Sequence, residues 1–278
     1  MYAIETKKLC YAYKTGEKVL NNIDISVKKG ETVGFLGENG AGKSTLLKHF
    51  NGILKQTKGE ILVEGENITK KNLKEIRKKV GFVFQNPDDQ VFSPTVLEDV
   101  AFGPMNLGLS KEEVLHKSHD ALKAVGVEHL INKSPHQLSV GEKRRVGIAG
   151  VLAMHPDILI LDEPTANLDP NSINEILEII KKLNSEYGIT IIISTHNVNI
   201  VPRICSKVYV MNKGEIILEG SPEEVFKNQE VLKRADLDVP DISKLMLLLE
   251  NDGHNTNFSL TVESAYEEIK RIIRDKNA

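Results

Sequence analysis

The sequence predicts an α/β fold built on a mainly parallel sheet, and three features carry that expectation. Two apolar runs, 158–161 and 189–193, are separated by a helical pattern over 171–187. Strands that are apolar throughout and alternate with helices belong to a parallel sheet buried on both faces. A third short apolar strand, 32–36, leads directly into a glycine-rich turn and a helix starting near Gly42.

Along the chain, the first thirty residues alternate apolar and polar at Ile4, Leu9, Tyr11 and Tyr13, then at Leu20, Ile23, Ile25 and Val27. Half-buried antiparallel strands show that period of two. Residues 80–84 read as another strand. From 95 to 154 the pattern is mostly helical, with Ser110 capping a helix over 111–125 and a second helix over 141–154. A hairpin over 207–211 and 215–218 turns through Asn212, Lys213 and Gly214. Ser221-Pro222-Glu223-Glu224 then caps a short helix. Beyond about 228 the character changes. Residues 236–240 read as a linker, and two amphipathic helices follow, striped by Ile242, Leu245, Met246 and Leu249 and by Val262, Tyr266, Ile269 and Ile273.

Composition narrows the function. The chain has 278 residues, 40% hydrophobic and 27% charged, with a formal net charge of -3. That balance gives no reason to expect nucleic acid as partner, and the Lys-rich stretch 70–79, broken by Glu75, reads as a solvated face. Cys10 and Cys205 stand far apart without metal-ligand neighbours, which points to a reducing compartment. No signal-peptide pattern opens the chain, and no stretch approaches the ~20 apolar residues that span a bilayer. Any transport role must therefore be played through a partner.

The sharpest chemical signal is Gly37-Glu38-Asn39-Gly40-Ala41-Gly42-Lys43-Ser44, followed by Thr45, which fits a phosphate-binding loop. Glycines let successive N–H groups turn toward phosphate oxygens, and the helix after them points its positive end at the same anion. Lys43 is expected to reach the β- and γ-phosphates, and the Ser44 hydroxyl to coordinate Mg²⁺. Asp162 and Glu163 close the apolar run 158–161. The first suits Mg²⁺, and the second suits the polarisation of a water attacking the γ-phosphate. Leu138-Ser139-Val140-Gly141-Glu142 lies at the start of a helix, where a serine and bare backbone form a second anion receptor.

These segments together resemble the ABC transporter ATPases. Leu138 to Glu142 is similar to the family signature L-S-G-G-Q. Gln85 ends its strand as the Q-loop glutamine does, Ala166-Asn167-Leu168-Asp169 follows Glu163 as the D-loop does, and His196 follows its strand as the switch histidine does. The resemblance covers about residues 1–227. It implies a phosphate-loop nucleotide-binding domain with a RecA-like, mainly parallel core, an antiparallel β subdomain and an α-helical signature subdomain at about 95–156. Residues 228–278 would add a small helical extension. It further implies that Glu163, His196, Gln85 and Lys43 serve catalysis and that Ser44, Gln85 and Asp162 hold Mg²⁺. Tyr13, with Tyr11 as competitor, would stack on adenine. Ser139 and Gly141 would meet the ATP of a second subunit packed head to tail. Val140 and Glu142 depart from the signature. They are expected to give a working but slower composite site, in which the double change Val140→Gly with Glu142→Gln raises turnover.

Gln85-Asn86-Pro87-Asp88-Asp89-Gln90, Gly150 to Met154 and Thr195 to Asn199 resemble the branch of the cobalt-transport (CbiO) and energy-coupling-factor ATPases. That branch implies an importer ATPase at the cytoplasmic face of the membrane, working as a homodimer or with a paralogue. Its partners would be a transmembrane coupling protein of EcfT/CbiQ type and a small membrane protein that captures cobalt, nickel or a vitamin. An ATPase of another ABC transporter type, or a non-transport ABC ATPase, remains the alternative. A phosphate-loop GTPase or kinase is the rival from another class. Asn212-Lys213-Gly214-Glu215 is close to a guanine-reading motif but ends in Glu and sits in a hairpin turn, and the signature segment would have no role.

Overall fold

A computed structural model describes residues 1–254 and 256–276; Asn255 and the last two residues of the expected extension lie outside it. The chain opens with β1 (Tyr2–Ala12) and β2 (Lys18–Lys28), then β3 (Thr32–Leu36) and α1 (Lys43–Phe50). Next come β4 (Lys58–Val63), β5 (Glu66–Asn67), α2 (Leu73–Lys79) and β6 (Val80–Val83). The helical stretch is α3 (Val96–Asn106), α4 (Lys111–Ala124) and α5 (Val140–Leu152). The chain then returns through β7 (Ile158–Asp162), α6 (Pro170–Ser185), β8 (Thr190–Thr195) and α7 (Val201–Ile204). It ends with β9 (Lys207–Asn212), β10 (Glu215–Gly220) and α8 (Pro222–Lys227), followed by α9 (Gln229–Arg234), α10 (Asp241–Asn251) and α11 (Val262–Lys276).

Two sheets form. The first is antiparallel, in the order β2-β1-β4-β5; the second has the order β10-β9-β3-β8-β7-β6 and is parallel except for β10. The apolar runs behave as expected of a doubly covered sheet. Ile158, Ile160 and Ile192 face the cluster formed with β1, β2 and α1, whereas Leu159, Leu161, Ile191 and Ile193 face the helical side with Val100, Leu122 and Val146. Successive residues thus go to opposite faces, and both faces are dry. The hairpin turn uses Lys213 at φ 45° and Gly214 at φ 80°, as a two-residue turn matched to strand twist requires. Ser110 and Ser221 each make the full reciprocal cap that their sequences predict.

The C-terminal part forms the two expected helices, α10 and α11. Leu237 and Val239 are buried with Leu36, Val208 and Phe226, so the segment expected to be a linker is an alternating strip laid on the sheet's helices. In α10 the buried positions are Ser243 and Met246, while Leu245 is exposed. In α11, Ala265 and Glu268 face inward, and Val262, Tyr266 and Ile273 lie outside. The reason is polar. Glu268 accepts hydrogen bonds from the Asn257 backbone at 2.7 Å and from Arg271, which turns that face of the helix inward. Ser243 likewise donates to the Ser259 carbonyl at 2.7 Å.

Candidate functional site

Parallel pairing brings the C-terminal ends of β3, β8, β7 and β6 to one edge of the sheet: Leu36 pairs with Thr195, Asp162 with Ser194, and Val83 with Leu161. Ligands of open α/β sheets bind at that edge, because loops leaving the strand ends converge there. The phosphate loop follows β3, Gln85 follows β6, Asp162 and Glu163 end β7, and His196 follows β8.

A cleft of about 330 Å³ is lined there by Tyr13, Asn39, Gly40, Gly42, Lys43, Ser44, Thr45, Gln85 and Glu163, together with Glu17 and Val19 of the neighbouring hairpin. Gly42, at φ 101°, is the N-cap of α1, a conformation that side-chain-bearing residues avoid, and a Cβ there would press on the Val19 carbonyl at 3.2 Å. Gly37 and Ala41 belong to the same loop. A Cβ on Gly37 would lie 2.6 Å from the Met211 carbonyl, so the loop sits directly on β9. The buried Lys43 ammonium donates to the carbonyls of Gly37 at 2.7 Å and Glu38 at 3.1 Å. It lies 3.4 Å from Glu163 Oε1.

Ser44 donates to Asp162 Oδ1 at 2.9 Å, which puts a hydroxyl and a carboxylate together in a hard-oxygen pair suited to Mg²⁺. No cluster of three or more His, Cys, Asp or Glu able to cage a metal occurs among the described residues, so a metal here would rely on few protein oxygens, water and phosphate. Glu163 adopts φ 46°, and its N–H donates to Ser194 Oγ at 2.9 Å. Its carboxylate meets His196 Nδ1 at 3.0 Å through Oε2, whereas the buried Oε1 accepts no hydrogen bond. Tyr13 is 41% exposed and its hydroxyl lies 3.2 Å from Thr45 Oγ1; Tyr11 stacks edge-on between Tyr13 and the buried His49. Tyr13, and not Tyr11, therefore faces the cleft.

Ser139 and Gly141 do not line this cleft. Ser139 caps α5 in a closed box: its N–H and hydroxyl donate to Glu142 Oε2, each at 2.8 Å, and its oxygen accepts the Glu142 N–H at 3.2 Å. These bonds, the backbone one first, hold the Glu142 carboxyl below its ordinary range. Val140 is the first residue of α5 and 48% exposed, so it needs no positive φ. A Cβ on Gly141 would lie 2.7 Å from Ser172 Oγ of α6, so the close packing of these two helices requires a bare backbone there.

Two participants escape local sequence reading. Ser194 donates to Asp162 at 2.5 Å and accepts the Glu163 N–H, joining both acids to β8. A hydroxyl directly after the apolar run 189–193 is its only signal. Arg144 of α5, 2% exposed, reaches the backbone after β6, and no local pattern marks it.

The ABC transporter family profile matches residues 20–166. The energy-coupling factor transporter ATP-binding protein EcfA of Methanocaldococcus jannaschii is 52% identical over 99% of this chain and 100% of its own length. The protein of the same description from Methanococcus maripaludis is 49% identical over 99% of each. Among solved structures, CbiO1 from Clostridium perfringens, part of the ABC transporter complex CbiONQ, matches with a TM-score of 0.77 and 46% identity over 88% of this chain and 99% of that one. The dimeric ATP-binding cassette MJ0796 in a post-hydrolysis state with ADP and phosphate matches at 0.71, with 33% identity over 79% and 98%. With its phosphate loop, paired acids and histidine gathered at one sheet edge, the chain belongs to the ABC transporter ATPases, as an ATP-hydrolysing subunit of the energy-coupling factor and CbiO type.

Proposed function

We propose that the chain powers an importer for cobalt, nickel or a vitamin by hydrolysing Mg²⁺-bound ATP between two ATPase subunits. The carrying observation is the separation of Ser139 and Gly141 from the cleft that holds Lys43, Ser44 and Glu163. One chain offers two phosphate-facing elements that do not meet, so a second copy or a paralogue must complete each site. Within it the phosphate loop and Lys43 bind the β- and γ-phosphates, and Tyr13 supports adenine. Ser44, Asp162 and Gln85 are suited to hold Mg²⁺, which supplies charge neutralisation for the transferring phosphoryl group. Oε1 of Glu163, which accepts no hydrogen bond and faces Lys43 at 3.4 Å, is the acceptor for the attacking water's proton, while His196 holds the other carboxylate oxygen and Ser194 holds the Glu163 backbone. The partner's Ser139 donates to the γ-phosphate from the opposite side.

No helix among the described residues is long and apolar enough to cross a membrane, so transport requires a docked membrane protein. Phe92, Phe102 and Met105 expose 65%, 50% and 63% of their surface immediately after the Q-loop, and the two rings stack edge-on. An exposed apolar patch of this kind suits a helix of a transmembrane coupling protein, and on this reading the ATPase works at the cytoplasmic face. Residues 1–227 form the ATP-binding unit. The extension from 228, with Leu245, Leu248, Val262 and Tyr266 exposed, serves contact between ATPase subunits. Mild-detergent capture of the tagged chain from its native membranes tests the reading. A transmembrane coupling protein and a small capture protein should co-purify; recovery of only soluble proteins or ribosomes refutes the transport role.

A further inference from the structure

Arg144 is a buried cation whose described hydrogen bonds all go to backbone carbonyls. Nη1 donates to Phe84 O at 3.1 Å and to Gln85 O, and Nη2 donates to Ala166 O at 3.5 Å. Its Nε is buried without a partner, and no carboxylate forms an ion pair with it among the described residues. Burial lowers its pKa, opposed by the field of Asp162. A cation is expensive to bury in this way for packing alone, because Leu or Met would fill the space without a desolvation cost. What the guanidinium uniquely provides is a fork that reaches several acceptors at once.

Those acceptors belong to two different loops. Phe84 and Gln85 precede the membrane-facing segment, and Ala166 opens the turn after Glu163. Two neighbours reinforce the first attachment. Lys143 pairs with Asp88 at 2.7 Å, and Gln90 accepts the Phe84 N–H at 3.0 Å while donating to the Gly147 carbonyl at 2.8 Å. Helix α5 is thereby fastened to residues 84–90 at three of its positions, Lys143, Arg144 and Gly147, just behind Ser139.

We propose that Arg144 is a positioning residue that binds α5, the Q-loop and the turn after Glu163 into one unit. A push on the Q-loop then moves the Ser139 end of α5, and hence the second subunit's ATP site, together with the turn beside the chain's own Glu163. The inference rests on the composite-site reading but not on the cargo or the identity of the membrane partner.

The test uses the full chain with Arg144→Met and Arg144→Lys, read by amide hydrogen exchange without nucleotide and by steady-state ATPase kinetics. In Arg144→Met, amides of 84–90 and 166–169 should exchange at least tenfold faster together, while those of β7 keep their protection. The kcat should fall tenfold or more, with KM for MgATP within twofold of the parent. Arg144→Lys, which keeps the charge but reaches fewer carbonyls, should fall between. Unchanged exchange in either loop overturns the proposal, as does a kcat for Arg144→Lys equal to the parent's. If the Met variant does not fold, the Lys variant decides alone on the same two readouts. Failure of the site reading itself shows separately, as normal turnover in Glu163→Gln with the exchange result intact.

Discussion

Replacing Glu142 by Gln isolates what the altered signature does. In the parent, one carboxylate oxygen takes both the N–H and the hydroxyl of Ser139, each at 2.8 Å, so the hydroxyl proton that the proposed composite site would offer to a γ-phosphate is directed back into its own helix. Hydrogen bonds to a charged group contribute about 1.5–3 kcal/mol and neutral ones about 0.5–1.5. The box would thus weaken by about 1 kcal/mol per bond before screening. Loss of a negative charge at a helix N-terminus costs a further ~0.3–1 kcal/mol. Because Glu142 lies at the surface, solvent reduces the sum, and about 1 kcal/mol is a fair net figure after that discount. For a chain of this size Tm should drop by roughly 2–4 °C. The same ~1 kcal/mol is returned to Ser139 when it turns to phosphate, and the negative charge facing the nucleotide is gone; kcat/KM for MgATP should rise about fivefold, since 1.4 kcal/mol is tenfold. The sign with pH follows from the lowered Glu142 pKa. Its stabilisation is complete above the ordinary value of 4.5 and is lost as pH falls through the depressed folded value. The Tm gap between parent and variant should therefore be full at pH 7 and shrink below about pH 4.5. Differential scanning fluorimetry across pH, beside a coupled ATPase assay, measures both. A lower Tm with unchanged or slower turnover would refute the idea that the carboxylate restrains Ser139.

Glu163→Gln should keep ATP binding but lose turnover by about 10²–10⁴-fold, the usual worth of a general base, and should accumulate as a closed dimer with ATP in light scattering. Normal turnover would remove Glu163 from its assigned role. Ser194→Ala leaves the Glu163 N–H without its side-chain acceptor and Asp162 with Ser44 as its remaining hydroxyl donor, although the Ser194 carbonyl still lies 3.2 Å from that N–H. It should cost about 1–3 kcal/mol in urea unfolding and slow hydrolysis more than it weakens binding; equal stability would show that the hydroxyl is dispensable.

The sequence exposed those parts of the molecule whose physics is local. A glycine loop between an apolar strand and a helix, Ser-x-x-Glu caps and runs such as 158–161 each carry their own structural instruction, and all of them stand where expected. The tail is legible only in part, because spacing in α11 identifies a helix with two faces without saying which one is covered. There Ala265 and the hydrogen-bonded Glu268 turn inward while Val262 and Tyr266 remain outside. Arg144 was invisible for a related reason. Its burial depends on carbonyls roughly sixty and twenty residues away in sequence, and a helix pattern rich in Lys and Arg reads as solvent-facing.

The strand order also dictates when the nucleotide loop can exist. Strand β3, which presents that loop, has no neighbour nearby in sequence: its partners are β8 (Thr190–Thr195) and β9 (Lys207–Asn212). A ribosome building the chain from Met1 therefore releases the phosphate loop long before anything is available to hold its strand. The late segment must close a very distant contact, which is the slow kind of folding step. Until then an apolar strand with open edges waits unpaired, the condition that favours chaperone capture or aggregation. Truncations ending before Thr190 should accordingly fail to bind ATP even though they contain the whole phosphate loop.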